Sequence, residues 1–484
     1  MRRGFLNREH RKDKANEETS KPSHKWTSDS GGTATRREPV AVSSNDIGIT
    51  TRGFLKKDYQ KQSNDAHIST PVASVSTASS SQNKVAKVIP IPSRPIHTLP
   101  TPSPGLIKTW GITNTGSTSA RVAYFPLLPG LGYCPGVCLF PSGLKEALES
   151  MPDFPSLNPS FMRPDIVYEI RNSLIPNAGV GMFATEDLDV GDMIIMEYPF
   201  LSQPQETPYV PGPNSDPDMF MRALFRRLPQ EGQDIFWSLH NCKPIGPSSK
   251  MKGIFDTNGL PMDLRPGDPV YVGLSKNISR INHSCVRNAQ VTWSLQEWSW
   301  RVWALQPIKK GDEITISYVP PDLPRLARQQ ILRDNYSISS CICSCCSLPP
   351  ALVKQSDENR IRLNHYTPPQ WYMDGLPDIE LEEAARDLDP DYRKLKEIII
   401  ESTMWMELMD QEKCWIAPVT GFHSQRLVKA WSALGPKGRS MAVKMARRAQ
   451  VLERACLGMR SDGGWEAVLR DIEASDWWDK ARRV

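Results

Sequence analysis

The chain has no run of 18 or more apolar residues, and Met1-Arg2-Arg3 leads into no apolar stretch, so neither a membrane span nor a secretory signal is expected. Apolar residues fill only 39% of its 484 positions. Part of that deficit lies in residues 1–110, which are rich in Ser, Thr, Pro, Lys and Arg and poor in aromatics. Such a stretch cannot bury enough apolar surface to offset the entropy of ordering it, and a disordered tail is expected there. The scarcity of aromatics among its basic residues argues against base stacking on nucleic acid. No strict repeat period is present, which gives a solenoid no periodic signal.

Charge is unevenly spread. The formal net charge is +5, but residues 1–110 carry 18 Lys and Arg against 9 Asp and Glu, a local +9 that leaves −4 for the remainder. Contact with nucleic acid is expected only through this basic tail, for which a solvated linker is the favoured reading and an acidic partner or an import receptor are the alternatives. Arg8, Arg11, Lys12 and Lys14 form a basic cluster interrupted by Glu9 and Asp13. The expectation is an intracellular protein of the nucleus, the cytoplasm or both. In that reducing setting the ten cysteines read as thiols or metal ligands rather than disulfides.

After the tail, residues 111–163 read as a linker punctuated by Pro, Gly and Ser, with a short strand around Arg121–Phe125 and a Cys134-x-x-x-Cys138 pair that has no partnering pair nearby. From about residue 164 short strands dominate: Ile166–Ile170, Met182–Thr185, Met193–Glu197, the hairpin Asn288–Leu295 with Trp298–Leu305, and Glu313–Val319. They are interrupted at about 216–265 by helix-spaced apolar residues such as Leu224, Leu228 and Phe236. From 378 to 484 long amphipathic runs separated by Gly or Pro predict a helical C-terminal domain. The fold class is therefore α+β.

Three clusters carry chemistry. Gly179-Val180-Gly181 follows a strand and lets the backbone approach a ligand closely, although a Gly-x-Gly taken alone is a turn. Asn282-His283-Ser284-Cys285 would by itself be a hydrogen-bonded corner. Cys341-x-Cys343-x-x-Cys346 offers three sulfurs in six residues, with Cys345 surplus, whereas a structural zinc takes four ligands. A loop of free thiols is the alternative, disfavoured because crowded solvent-facing thiols oxidise.

In order and separation these motifs, with Gly311-Asp312-Glu313-Ile314 and Tyr318 between them, resemble the SET domain, a family that includes S-adenosylmethionine-dependent protein lysine methyltransferases. The resemblance implies a β-rich domain of several small sheets over 164–320, with a post-SET zinc-binding segment over 321–348. It implies that Gly179, Val180, Gly181, Asn258, Asn282, His283, Tyr318 and Tyr336 line the methyl-donor site. Tyr318 would be the catalytic phenol beside the transferring methyl, and Cys285, Cys341, Cys343 and Cys346 would bind Zn2+, with the register among 341, 343, 345 and 346 left open. The partner implied is a protein substrate presenting a lysine, and the helical domain is the expected docking surface for further proteins.

The arrangement is most similar to the SET-and-MYND branch, with two departures. Only Cys242 occurs between Phe200 and Asn258, which excludes the MYND zinc finger and makes the chain similar to the MYND-less SET proteins found widely in fungi. Ile338 stands where relatives carry an aromatic that stacks on adenine, which leaves Tyr336 to line the lysine channel or to take over the stacking. A catalytically weak or inactive SET scaffold acting through protein contacts is the alternative function.

Overall fold

The computed structural model describes residues 120–126, 136–155, 165–207, 218–243, 249–265, 268–387, 389–457 and 464–482. The expectations for the basic tail and for Cys134 lie outside them. The strands are β1 (Arg121–Tyr124), β2 (Val137–Phe140), β3 (Tyr168–Asn172), β4 (Val180–Ala184), β5 (Met193–Glu197), β6 (Leu201–Pro204), β7 (Leu260–Met262), β8 (Tyr271–Leu274), β9 (Asn282–His283), β10 (Ala289–Ser294), β11 (Ser299–Ala304) and β12 (Glu313–Ile316). They form three small sheets of order β1-β2-β6-β8-β7, β10-β11-β5 and β3-β4-β12-β9.

Helix α1 (Leu144–Glu149) precedes the second sheet-forming stretch, and α2 (Met219–Phe225), α3 (Gln230–Ser238) and α4 (Lys250–Asn258) lie between β6 and β7. Their apolar faces bury Leu224, Leu228, Phe236, Ile254 and Phe255 against Val137, Leu201 and Leu274 of the five-stranded sheet. Helical spacing in the sequence and a sheet face needing cover are thus two sides of one contact. The α+β assignment holds, with several small sheets, a helical insert and a helical C-terminal region.

The main core lies where the sheets meet. Strand β11 is buried along its whole length, and Trp300, Val302 and Ala304 join Met182, Ile194, Ile281 and Ile314 in one cluster. The β10–β11 hairpin turns at Trp298, which adopts a left-handed φ of 50° and packs edge-on against Phe125 and Trp293 at 4.8 and 5.4 Å. Each such aromatic contact contributes about 0.5–1.5 kcal/mol beyond area burial.

Two helices were not anticipated: α5 (Arg325–Tyr336) and α6 (Pro350–His365). Both had a readable signal, since each follows a proline (Pro324, Pro349) and is built largely of good helix formers. Then come α7 (Gln370–Met373), α8 (Ile379–Arg386), α9 (Arg393–Glu412), α10 (Ala417–Ala433), α11 (Arg439–Leu457) and α12 (Trp465–Arg470). The amphipathic run expected from Gly464 to Arg482 is not one helix. Asp471 turns its carboxylate onto the backbone N–H groups of Glu473 and Ala474, a local bond that competes with helix continuation, and two 3-10 turns follow. Consecutive helices α9, α10 and α11 pack on one another, and α11 also packs against β10 and β11.

Candidate active site and thiol cluster

A two-residue strand organises the site. Asn282 and His283 pair in parallel with Thr315 and Ile316 of β12, so the chain leaves through the β10–β11 hairpin and returns beside itself. Asn288 extends the join: its Oδ1 accepts from the Thr315 N–H at 2.7 Å and its Nδ2 donates to the Glu313 carbonyl at 2.9 Å. That side chain serves β12 as a substitute strand partner.

Upstream, the turn before Asn282 is braced by Glu197, the last residue of β5. Its buried carboxylate accepts from the Ser275 hydroxyl, from the Asn277 N–H and side-chain amide, and from the Ile278 N–H. Burial pushes its pKa up, and these donors oppose the shift. The result is a fixed 3-10 turn, Ile278–Arg280, that delivers Ile281 and Asn282 to one place. Neither the brace at Glu197 nor the junction at Glu313 is legible in the sequence.

Glu313 draws the first glycine pair into the same corner. Its carboxylate accepts from Ser173 Oγ at 2.9 Å and from Asn282 Nδ2 at 2.7 Å, while Asn282 Nδ2 also donates to the Val180 carbonyl at 3.0 Å. A Cβ on Gly181 would stand 2.2 Å from Glu313 Oε1 and 2.9 Å from Asn282 Nδ2, so glycine is required there by close approach. Gly179 is required by conformation: its φ is +72° and a Cβ would meet nothing within 4 Å. Open space beside this backbone suits a ligand lying along it.

Tyr318 sits just beyond β12. Its N–H donates to His283 Nδ1 at 3.0 Å and its hydroxyl donates to the Ile281 carbonyl at 2.7 Å. Burial, with lesser contributions from Tyr336, Cys242 and Glu313, raises its pKa above the ordinary tyrosine value, so it is a phenol and not a phenolate at neutral pH. The Tyr336 ring lies 4.8 Å away, centroid to centroid. Tyr336 ends α5, where Ser337 takes a left-handed φ of 55° and its N–H bonds back to the Arg333 carbonyl at 3.2 Å, an αL stop that turns the chain toward the thiols. The loop after α3 docks here too, with Ser337 Oγ donating to the Cys242 carbonyl at 2.7 Å and Lys243 Nζ donating to the Asn335 carbonyl.

His283 connects the Tyr318 backbone to the sulfurs. Burial pushes its pKa down to about 4, and since Nδ1 accepts from the Tyr318 N–H, the proton of the neutral ring is on Nε2, which faces Cys285 Sγ at 3.3 Å. Cys285 Sγ lies 3.9 Å from Cys341 Sγ and 3.6 Å from Cys346 Sγ, and with Cys343 the four sulfurs are all within 4.8 Å of one another. Tetrahedral zinc with bonds of about 2.3 Å places its sulfurs roughly 3.8 Å apart, so the cluster could hold such an ion. Four ionised thiols this close repel one another unless a cation lies between them.

Cys345 is outside the four-sulfur group. It faces two buried guanidinium groups, Arg328 Nη2 at 3.3 Å and Arg360 Nη2 at 3.4 Å. Asn258 is buried, with its Nδ2 donating to the His240 and Ile254 carbonyls at 2.6 and 2.7 Å. That amide closes the helical insert, and the Asn258 carbonyl accepts from Ser279 Oγ at 3.1 Å, linking the insert to the turn before Asn282.

Residues 179–319 match the SET domain family, and the structure brings together within them a glycine-bearing strand, a phenol just beyond a returning parallel strand and, through the Tyr318 N–H and His283, a sulfur of the thiol cluster. Over 195 residues the chain is 31% identical to histone-lysine N-methyltransferase set5 of Schizosaccharomyces pombe, covering 40% of this chain and 55% of that protein. It is 33% identical over 188 residues to human protein-lysine N-trimethyltransferase SMYD5, covering 36% and 43%. A SET and MYND domain-containing protein of Dictyostelium discoideum is 37% identical over 78 residues, covering 16% and 19%. The chain spans about half the length of the first two relatives.

Proposed function

We propose that the protein is an S-adenosylmethionine-dependent protein-lysine N-methyltransferase with a structural zinc site. The observation that carries this reading is the hydrogen bond from the Tyr318 hydroxyl to the Ile281 carbonyl, in the turn that enters Asn282–Cys285. It holds a neutral phenol, whose oxygen remains able to accept a hydrogen bond, at the point where three distant segments meet.

The methyl donor would lie along Gly179–Gly181 and Asn282–His283, and it supplies a sulfonium-bound methyl group. The side-chain nitrogens of Asn282, His283 and Asn258 bond within the protein, so their contribution to that site is chiefly the backbone they fix. A target lysine has an ordinary pKa of about 10.4, so roughly one amine in a few thousand is neutral at pH 7. A buried channel disfavours the ammonium. Tyr318, unable to act as a strong base, accepts a hydrogen bond from the neutral amine and orients its lone pair, while Tyr336 walls the channel and excludes water.

Cys285, Cys341, Cys343 and Cys346 would hold zinc, with His283 Nε2–H donating to the Cys285 sulfur and Arg328 beside Cys346 at 3.9 Å offsetting thiolate charge. Substrate recognition beyond a lysine on a polypeptide falls to the surfaces around this channel, and the helical region is the proposed platform for protein partners. No helix among the described residues is long and apolar enough to cross a membrane, and we place the enzyme in the nucleus or cytoplasm. Incubation with methyl-labelled donor and a cell extract should label a protein band on lysine; no labelling, together with no donor binding by calorimetry, would overturn the assignment.

A further inference from the structure

Three large apolar side chains stand in solvent along one short stretch of the helical region: Met373, Leu376 and Ile379 are 53, 57 and 58% exposed. The other side of that stretch is pinned. Trp371 and Tyr372 of α7 pack edge-on against Phe422 of α10, with ring centroids 5.7 and 5.1 Å away, and the Leu376 N–H closes back on the Trp371 carbonyl at 2.8 Å. Asp378 then caps α8 by accepting from the N–H of the buried Leu381 at 3.0 Å. The three apolar groups are thus carried on fixed backbone, and their contact with water is a standing cost that a partner would relieve.

The same stretch has more negative charge than its surroundings offset. Arg426 of α10, itself buried, is the counter-ion of three carboxylates at once: its Nε lies 2.8 Å from Asp378, its Nη2 2.5 Å from Glu380 and its Nη1 3.4 Å from Glu401 of α9. Glu380 and Glu401 are exposed, as are Asp374 and Glu383. Residues 370–386 carry five Asp and Glu against the single Arg386. Arg426 and Glu401 cancel one another, and Lys429 of α10, which interacts with Asp378 and Glu382, offsets one more, leaving a local charge of −3. We infer that this face docks a cationic polypeptide segment in which Lys or Arg alternate with apolar residues. Charge selects that occupant. A second copy of the chain meeting face to face would set like charge on like, and nucleic acid or an anionic lipid surface would be repelled in the same way. A basic amphipathic segment covers the apolar groups and neutralises the carboxylates together. This specifies the kind of protein partner the helical region takes, and it does not depend on methyl transfer.

The face is tested on the full-length protein without methyl donor, by fluorescence anisotropy with labelled peptides of about twenty residues built as repeats of Leu-Lys-Arg, Gly-Lys-Arg or Leu-Glu-Glu. The Leu-Lys-Arg peptide should bind with a Kd on the order of 10 µM, weakening about tenfold as salt rises from about 0.05 to about 0.5 M. The Gly-Lys-Arg peptide, with no apolar surface to bury, should bind about tenfold more weakly. Combining Leu376→Ser with Ile379→Ser should bring the Leu-Lys-Arg affinity down to that of the glycine peptide while melting stays near wild type, since both side chains are exposed. Glu383→Lys, a change at an exposed position on α8, should weaken both cationic peptides. Equal affinity for the two cationic peptides, preference for Leu-Glu-Glu, no binding at about 1 mM, or affinity unchanged in the double variant would overturn the inference. So would self-association, seen by sedimentation velocity, that the double variant abolishes, because a second copy would then be the occupant. With no donor present, none of these outcomes bears on the methyltransferase reading.

Discussion

Tyr318 is protonated at neutral pH, which desolvation reinforces, and keeps its direction because the Ile281 carbonyl accepts its hydroxyl. Tyr318→Phe should therefore reduce methyl transfer by about 10²- to 10³-fold, the scale of removing one preorganised polar group from a reacting centre, while metal content and melting behaviour stay near wild type; retained activity in single-turnover assays would contradict the role. The glycines separate two physical demands. Gly181→Ala forces a Cβ into the Glu313 carboxylate and should cost about 1–3 kcal/mol by overpacking, measured by urea denaturation, with donor affinity falling alongside. Glu197 belongs with them in importance: four donors converge on it, and Glu197→Gln would turn an NH2 group toward some of them, leaving buried donors unsatisfied at a cost of about 1–3 kcal/mol. The first two of these residues were legible as motif members. Glu197 also belongs to the family resemblance, with Gly191, Asp192 and Pro199, but its bracing role was not legible, because nothing in a local window shows which distant N–H groups a carboxylate will accept.

At the scale of elements, the segment from α5 to Cys346 acts as a clamp. Its left-handed stop at Ser337 follows Tyr336, which lies beside Tyr318, and its sulfurs meet Cys285 next to His283. Cys285→Ser should release about one equivalent of metal and destabilise this segment, because metal affinity here is folding free energy. Cys345→Ser should keep the metal, since that sulfur faces Arg328 and Arg360. Elemental analysis of the two variants decides the ligand set: metal lost from Cys345→Ser and kept in Cys285→Ser would exclude the four-sulfur site proposed. Spacing alone left the register open because four cysteines in six residues offer several triplets, and only the direction of each side chain selects among them.

Across the whole molecule, the helical C-terminal region is tied to the clamp by charge as well as by packing. Arg360 of α6, fully buried, bonds to the Pro321 carbonyl, to Cys345 and to the Glu412 carbonyl at the end of α9, and its Nε lies 3.3 Å from the Glu412 carboxylate. Asn359 Nδ2 donates to the same carboxylate at 2.7 Å. Removing one partner of a buried pair leaves the other uncompensated, so Glu412→Gln should destabilise by about 3–5 kcal/mol. The loss should appear as a lowered denaturation midpoint with metal content unchanged in the folded protein. An effect below about 1 kcal/mol would show that this junction does not hold the two regions together. The periodicity of 378–484 announces helices but not this junction, since α6 precedes the amphipathic runs and no local pattern shows which of its polar residues are buried.

By itself the sequence determined the chemistry available and the local backbone that presents it. A Gly-x-Gly after a strand, Asn-His-Ser-Cys, a tyrosine closing a β run and a cysteine cluster are short-range patterns, and strand alternation and helical spacing place them on elements. Tertiary structure alone decided which of them meet. The parallel pairing of Asn282–His283 with Thr315–Ile316 joins segments more than thirty residues apart and sets the Tyr318 N–H against His283 Nδ1, which fixes the histidine's tautomer, while helix packing leaves one sulfur to the arginines. Contacts of that kind depend on how whole sheets and helices close around one another, a property of the packed chain that no local window of residues contains.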